Sequence, residues 1–239
     1  MEQDGPSGVL LIDKAPDMTS HDVVAIARRA LNTKKIGHCG TLDPMATGLL
    51  MLVIGRATKI QDLLMSEDKQ YQGTITLGTS TSTQDRQGDV LETKPVPDLT
   101  TEQIHAAFDT LVGAFEQIPP MVSAIKKDGV PLYKLARKGQ VIEREPRPVH
   151  ITSYEVTRVA LPEIDFTVHC SKGFYVRTYA HDLGIQLGTL GHLSALRRTR
   201  SGKFTLDRAV PVADLKTTPR EVLLKAMISL AEISLMRGA

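Results

Sequence analysis

The apolar run Leu49 to Ile54, LLMLVI, constrains this chain most, because it is short, unbroken and closed by Gly55, the pattern of a strand covered on both faces. Ahead of it lies a glycine-punctuated loop, GHCGTLDPMATG, from Gly37 to Gly48, which carries a lone carboxylate at Asp43. Gly37 and Gly40 can take positive φ angles at no steric cost, and Pro44 pushes the backbone of Asp43 out of the helical region. The carboxylate is thus set in a stiff frame anchored to a core strand, as a catalytic acid must be. The same residues also fit a plainer role, in which Asp43 caps a short helix beginning at Pro44.

With 239 residues, 41% of them hydrophobic, the chain can bury a substantial core as one large domain or a domain with an appendage. No stretch approaches the roughly 20 apolar residues that cross a bilayer. The start, MEQDGPSG, is acidic and polar rather than basic and then apolar, so a cytoplasmic protein is expected. Cys39 and Cys170 lie far apart and form no metal-ligand spacing, so the expectation is buried or loop thiols without zinc.

The net charge of +2 conceals a local pattern. Lys126 to Arg147 carries seven Lys or Arg against three acids, and Lys172 to Arg208 seven against two, which leaves the remainder acidic. Two basic segments on an acidic chain suggest a localised polyanion footprint, although charge runs are also ordinary solvated faces.

Along the chain, Gly8 to Asp13 reads as a strand. Thr19 to Asp22 forms a capping-box pattern before a helix with Val23, Val24, Ala27 and Leu31 on one face. Tyr71, Gly73, Ile75 and Leu77 alternate with polar residues, so Tyr71 shares one face of a half-buried strand and points to a core or a cleft. Gly78 to Asp89 reads as a polar loop, and Thr100 to Gln103 caps a helix bearing Ile104, Ala107, Phe108 and Leu111. Gln117 to Pro148 holds five prolines, much basic charge and a short helical pattern around Leu132, Leu135 and Ala136, and looks like an excursion. A strand pair, Val149 to Val159 and Ile164 to Cys170, ends at a turn on Lys172 and Gly173. Gly173 to Arg177 reads as strand-like, and Glu221 to Leu235 as one helix with Leu224, Ile228, Ala231 and Leu235 in register.

Several of these segments resemble, in order, the TruB-type tRNA pseudouridine synthases. They are GVLLIDKAPDMTSHDVV from Gly8, GHCGTLDPMATGLL followed by GRATK, the K-x-Y of Lys69 to Tyr71, CSKGFYVRTYAHDLG from Cys170 and LSALRRTRSGKF from Leu193. Five ordered matches from about residue 8 to residue 212 are far more specific than one short pattern. One departure stands out: the family commonly has Lys-Pro-x-Gly where this chain has Lys14, Ala15, Pro16 and Asp17.

The resemblance implies an α+β protein with the pseudouridine synthase fold, a mixed, largely antiparallel sheet flanked by helices. Residues 1–212 would form the catalytic domain, residues 117–148 a basic, thumb-like RNA-binding insertion, and residues 213–239 a helical tail without the family's PUA domain. It implies the activity too: isomerisation of the T-loop uridine of tRNA to pseudouridine, with base flipping and without cofactor or metal. The partner would be the T arm of tRNA, bound by a monomer with no obligate protein partner and no membrane.

Asp43 falls on the catalytic aspartate of the family, Tyr71 on its active-site tyrosine and Arg177 on the arginine that pairs with the aspartate. On residue chemistry alone, Tyr71 is also a core tyrosine and Arg177 also a surface contact to phosphate. His38 falls on the histidine that replaces the flipped base, Leu196 on an apolar pocket residue, and Tyr175 within a substrate-contacting motif. The plainer roles are a loop histidine for His38 and core for Leu196. Lys14 and Lys59 lie in matched motifs as contacts to RNA or as residues that position loops. An RNA-binding module or tRNA chaperone, and the catalytic subunit of a guide-RNA-directed synthase, are the competing functions.

Overall fold

The branched and aliphatic residues of GVLLIDK leave no polar side chain until Asp13, so the first strand is buried along almost its whole length. The computed structural model describes residues 5–123, 125–127, 129–136, 139–140 and 142–238, with backbone alone at 126, 127, 131, 133 and 134. In chain order, β1 (Gly8–Lys14), α1 (Ser20–Ala30), β2 (Ile36–Cys39), β3 (Thr47–Ile54), α2 (Gln61–Met65) and β4 (Lys69–Leu77) come first. Next are β5 (Thr79–Thr81), β6 (Val90–Thr93), α3 (Thr101–Asp109), β7 (Gly113–Gln117), β8 (Lys126–Lys127), β9 (Val130–Pro131) and α4 (Leu132–Ala136). The remainder is β10 (Arg147–Ala160), β11 (Glu163–Cys170), α5 (Val176–Gln186), β12 (Gly191–Ser201), β13 (Phe204–Thr205), β14 (Val210–Pro211), α6 (Arg220–Ala226) and α7 (Leu230–Arg237). This α+β content has the mixed, largely antiparallel pairing expected from the sequence.

The chain divides into two compact units, residues 1–71 with 196–239, and residues 72–195. In the first, β1 runs antiparallel to β3 in register from Gly8 opposite Ile54 to Lys14 opposite Gly48. Strand β14 adds parallel to β1, β2 pairs antiparallel with β3, and the end of β12 pairs parallel with β3 at Arg197 and Arg198. One face of this sheet buries Val9, Leu11, Leu49, Met51 and Val53 against Ala57, Leu64, Phe204, Ile228 and Ile233. Each such aliphatic side chain contributes about 1.5–3 kcal/mol by leaving water. Helix α1 is closed by the capping box read from the sequence: Asp22 N–H donates to Thr19 Oγ1 at 3.1 Å, and Thr19 N–H donates to Asp22 at 2.8 Å.

The carboxy-terminal residues form two helices, not one. Met227 turns extended so that Ile228 exchanges backbone hydrogen bonds with Val9, at 2.9 and 2.8 Å, and Ser229 then caps α7. The pairing satisfies the Val9 N–H and carbonyl, which a continued helix would leave open. The buried positions are accordingly Leu223, Ile228 and Ile233, while Leu235 is 77% exposed.

In the second unit, β11 pairs with β10 and β10 with β7, both antiparallel, and the alternation of Ile164, Phe166, Val168 and Cys170 is buried as the sequence predicts. Phe108 of α3, Phe166 of β11 and Phe174 surround Tyr179 of α5 with ring centroids 5.4–5.7 Å away. These edge-on aromatic contacts hold α5 on the sheet. The excursion at 117–148 holds the hairpin β8–β9 and the short α4. Of its basic residues, Arg137 and Lys138 lie outside the described residues, as do the side chains of Lys126, Lys127 and Lys134.

Candidate active site

The loop from Gly40 to Ala46 leaves the end of β2 and enters β3. Gly37 belongs to β2, so the positive φ falls on Gly40 alone of the two, at +76°. Ala46 N–H donates to the carbonyl of Asp43 at 3.0 Å, closing a turn over Pro44 and Met45. No helix starts at Pro44, which removes the capping role for Asp43.

Side chains from distant parts of the first unit hold this loop. Leu42 N–H donates to Ser20 Oγ at 2.9 Å, and the hydroxyl donates back to the Leu42 carbonyl at 3.2 Å. Lys14 Nζ donates to the Pro44 carbonyl at 3.1 Å and to that of Ala15 at 2.8 Å. The guanidinium of Arg198 spans the loop's base, donating to the carbonyls of Leu49 at 2.7 Å and Gly40 at 3.1 Å. Gly48, at φ +94°, lets β3 lie against β12: a Cβ there would sit 2.3 Å from the Arg198 carbonyl oxygen. The half-buried Asp43 is therefore placed by a frame tied at both ends and in the middle.

Two buried cations serve this frame. Lys14 is 1% exposed and Arg198 2% exposed. Burial lowers the Lys14 ammonium to about 8, while the negative charge of Asp43 does most to hold its proton on. The buried Lys14 ammonium thus lies against the carbonyls of the loop. Asp17, at the departure from the family pattern, adopts φ +59°, a left-handed backbone that a glycine would take without strain.

His38 lies in β2, half-buried, with its Nδ1 inside and without a hydrogen-bond partner. Burial, with the nearby His21 and Arg198 charges, lowers its pKa to about 4 and keeps the ring neutral. Tyr71 is 9% exposed on the inward face of β4, and Leu196 is 8% exposed with its carbonyl accepting from Thr47 Oγ1 at 3.4 Å. Lys59 is exposed in the 3-10 turn Gly55–Ile60.

Arg177 and Tyr175 belong to the second unit. Arg177 is the second residue of α5 and not the end of a strand. The Tyr175 N–H donates to Gln117 Oε1 at 2.8 Å and its carbonyl accepts from Gln117 Nε2 at 3.1 Å, so a side-chain amide takes the bonds a neighbouring strand would supply. Arg177 is 4% exposed, which rules out a surface arginine. It donates to the carbonyls of Thr83 at 3.0 Å and Val122 at 2.7 Å, and its Nε lies 3.8 Å from Asp85.

Asp85 is a residue that sequence reasoning missed. It sits in the segment read as a polar loop, yet it is 4% exposed and accepts from Thr83 Oγ1 at 2.6 Å and Gln87 N–H at 2.9 Å. The available signal was the density of short hydrogen-bonding side chains, Thr81, Ser82 and Thr83, between Gly78 and Gly88. Such a run can satisfy its own backbone and go inside. Among the described residues, no group of three or more His, Cys, Asp or Glu side chains is placed to hold a metal ion.

Comparison with known proteins matches this framework. Residues 28–176 fit the sequence model of the TruB family pseudouridylate synthase N-terminal domain, and residues 177–235 that of the tRNA pseudouridylate synthase B C-terminal domain. A tRNA pseudouridine synthase B of Opitutus terrae is 56% identical over 92% of this chain and 92% of its own length. One from Syntrophotalea carbinolica is 44% identical over 95% of this chain and 74% of its own. A chain in the crystal structure of a Cbf5-Nop10-Gar1 complex has the same fold, with a TM-score of 0.75 at 28% identity, covering 96% of this chain. This chain spans 62% of that solved chain's length. The GTLDP loop, the strands that frame it and the matches along almost the whole sequence lead to one conclusion: the chain belongs to the TruB family of pseudouridylate synthases.

Proposed function

We propose that this protein isomerises the T-loop uridine of tRNA, at position 55, to pseudouridine, with Asp43 as the catalytic carboxylate. The observation that carries this reading is the loop of Asp43, pinned by Lys14, Ser20 and Arg198. The names of the curated relatives supply the substrate class.

The reaction breaks the bond from uracil N1 to the ribose, turns the base and rejoins it through C5, with no net oxidation. An ionised carboxylate serves it by attacking the anomeric carbon or the base at C6, or by taking a proton from a sugar intermediate. Asp43 must stay charged when buried beside a nucleobase, and desolvation alone would raise its pKa. The Lys14 ammonium opposes that within the same loop framework. Arg177 is assigned the cation that pairs with the aspartate, and its contacts to Asp85, Thr83 and Val122 fix its side chain.

A T-loop uridine must leave its stack before it reacts, at a cost of a few kcal/mol. The neutral ring of His38 suits the gap it leaves, and Tyr71 the face of the extruded base; Leu196 is assigned as an apolar pocket residue and Tyr175 as a substrate contact. Lys59, exposed, is a phosphate contact. The basic insertion at 117–148 grips the T arm, and the protein works as a monomer, without cofactor or metal, in the cytoplasm.

The test uses an unmodified tRNA transcript and a second transcript with the T-loop uridine replaced by cytidine, with pseudouridine mapped by carbodiimide adduct and primer extension. Product at that one position in the first transcript, and none in the second, is expected. Product elsewhere, or none in either, would overturn the site assignment.

A further inference from the structure

His21 is the second residue of α1, exposed, and its ring makes no hydrogen bond among the described residues. The neighbouring Asp22 carboxylate is occupied by the N–H and hydroxyl of Thr19 in the capping box, at 2.8 and 2.7 Å. The ring contact that remains to His21 is His38: the two centroids lie 5.2 Å apart and the planes meet at 87°. This edge-to-face arrangement is a favoured one for aromatic rings.

His38 needs such support. It stands at the lip of the Asp43 loop, two residues before Gly40, on a strand of four residues. Its Nδ1 faces the interior with no hydrogen bond to set the ring's rotation. The terminal torsion of a histidine is broad and roughly two-fold, so packing alone chooses its angle. A ring that must slide between bases pays to stop rotating unless it is already stopped. A perpendicular neighbour on a capped helix that packs on β2 does that. Burial and the adjacent charges keep the His38 ring uncharged, which favours ring-on-ring contact over repulsion.

We infer that His21 is a positioning residue for base exchange: its ring locks His38 edge-on, ready to occupy the space that the target uridine vacates, and so presents an imidazole corner to the RNA. This rests on the proposed role of His38 in tRNA modification. The substitution His21→Ala removes the support, and His21→Phe restores an edge-on ring without the nitrogens.

The experiment is a double-mutant cycle on single-turnover pseudouridine formation at saturating T-arm transcript, with RNA affinity measured beside it. His21→Ala is expected to slow the step about tenfold with affinity within about twofold, His21→Phe to recover most of the loss, and His21→Ala to have an effect under about twofold in a His38→Ala background. A rate for His21→Ala equal to wild type, or an undiminished effect without His38, would overturn the inference. A carbon–proton NMR spectrum of the histidine rings, taken without RNA, separates this from the activity itself. A displaced His38 resonance in the His21→Ala protein supports the contact even if wild type forms no pseudouridine, an outcome that would instead fault the proposed function. An unmoved His38 resonance overturns the contact.

Discussion

The ammonium of Lys14 donates to the carbonyl of Pro44 at 3.1 Å, joining the last residue of β1 to the residue directly after Asp43. The bond spans thirty residues of sequence and couples the order of the Asp43 loop to the first strand. It also makes Lys14 a source of pH dependence. In the unfolded chain its ammonium loses its proton near 10.5, and in the folded protein near 8. Between those values the unfolded state binds more protons, so the Lys14 contribution makes folding more favourable as pH rises through that window. The slope is at most about 1.4 kcal/mol per pH unit. Urea unfolding at both ends of the window should show wild type gaining stability relative to Lys14→Met. At neutral pH the same variant, which leaves the Pro44 carbonyl without its donor, should have kcat lowered about tenfold with KM little changed.

Gly48 tests the other side of the loop. Its φ of +94° is strained for any side chain, and an added Cβ would meet backbone atoms of Arg198 at 2.3, 2.9 and 3.0 Å. Backbone cannot rotate out of the way as a side chain would. Gly48→Ala should therefore lose about 2–4 kcal/mol, read from denaturant midpoints at unchanged m-value. A loss below about 0.5 kcal/mol would mean that β3 and β12 separate easily.

His38 should make the protein acid-sensitive in a defined window. Its folded-state pKa near 4 lies below the unfolded value of 6.5, so stability is lost as pH falls from 6.5 towards 4, where the unfolded chain takes up a proton that the folded one refuses. His38→Phe should flatten that part of the stability profile. Thermal midpoints of the two proteins at successive pH values measure the difference.

Local chemistry wrote much of this fold legibly. The capping boxes at Thr19 and Thr100, the apolar run of β3 and the alternation of β11 depend on residues a few positions apart, and each forms where the sequence places it. Long-range pairing was not legible. Ile228 breaks a good helical pattern to pair with Val9, more than two hundred residues away, and the side chain of Gln117, 58 residues away, holds the backbone of Tyr175 where the sequence reads as a strand. Burial of charge was equally hidden. Lysine and arginine are exposed by default, and the interior places of Lys14 and Arg177 depend on carbonyls brought from other segments. The loop of Asp43 was readable as a rigid frame, but the residues that clamp it, Ser20 and Arg198, had no local mark of that role.

The most direct test of the catalytic claim compares wild type with Asp43→Asn on an unmodified tRNA transcript and on an isolated T-arm stem-loop. Asparagine keeps the shape of the side chain and removes its charge. Wild type should form pseudouridine in the T loop and Asp43→Asn none, while both bind the RNA within about a few-fold of each other. Pseudouridine formed by Asp43→Asn at a rate near wild type would contradict the claim.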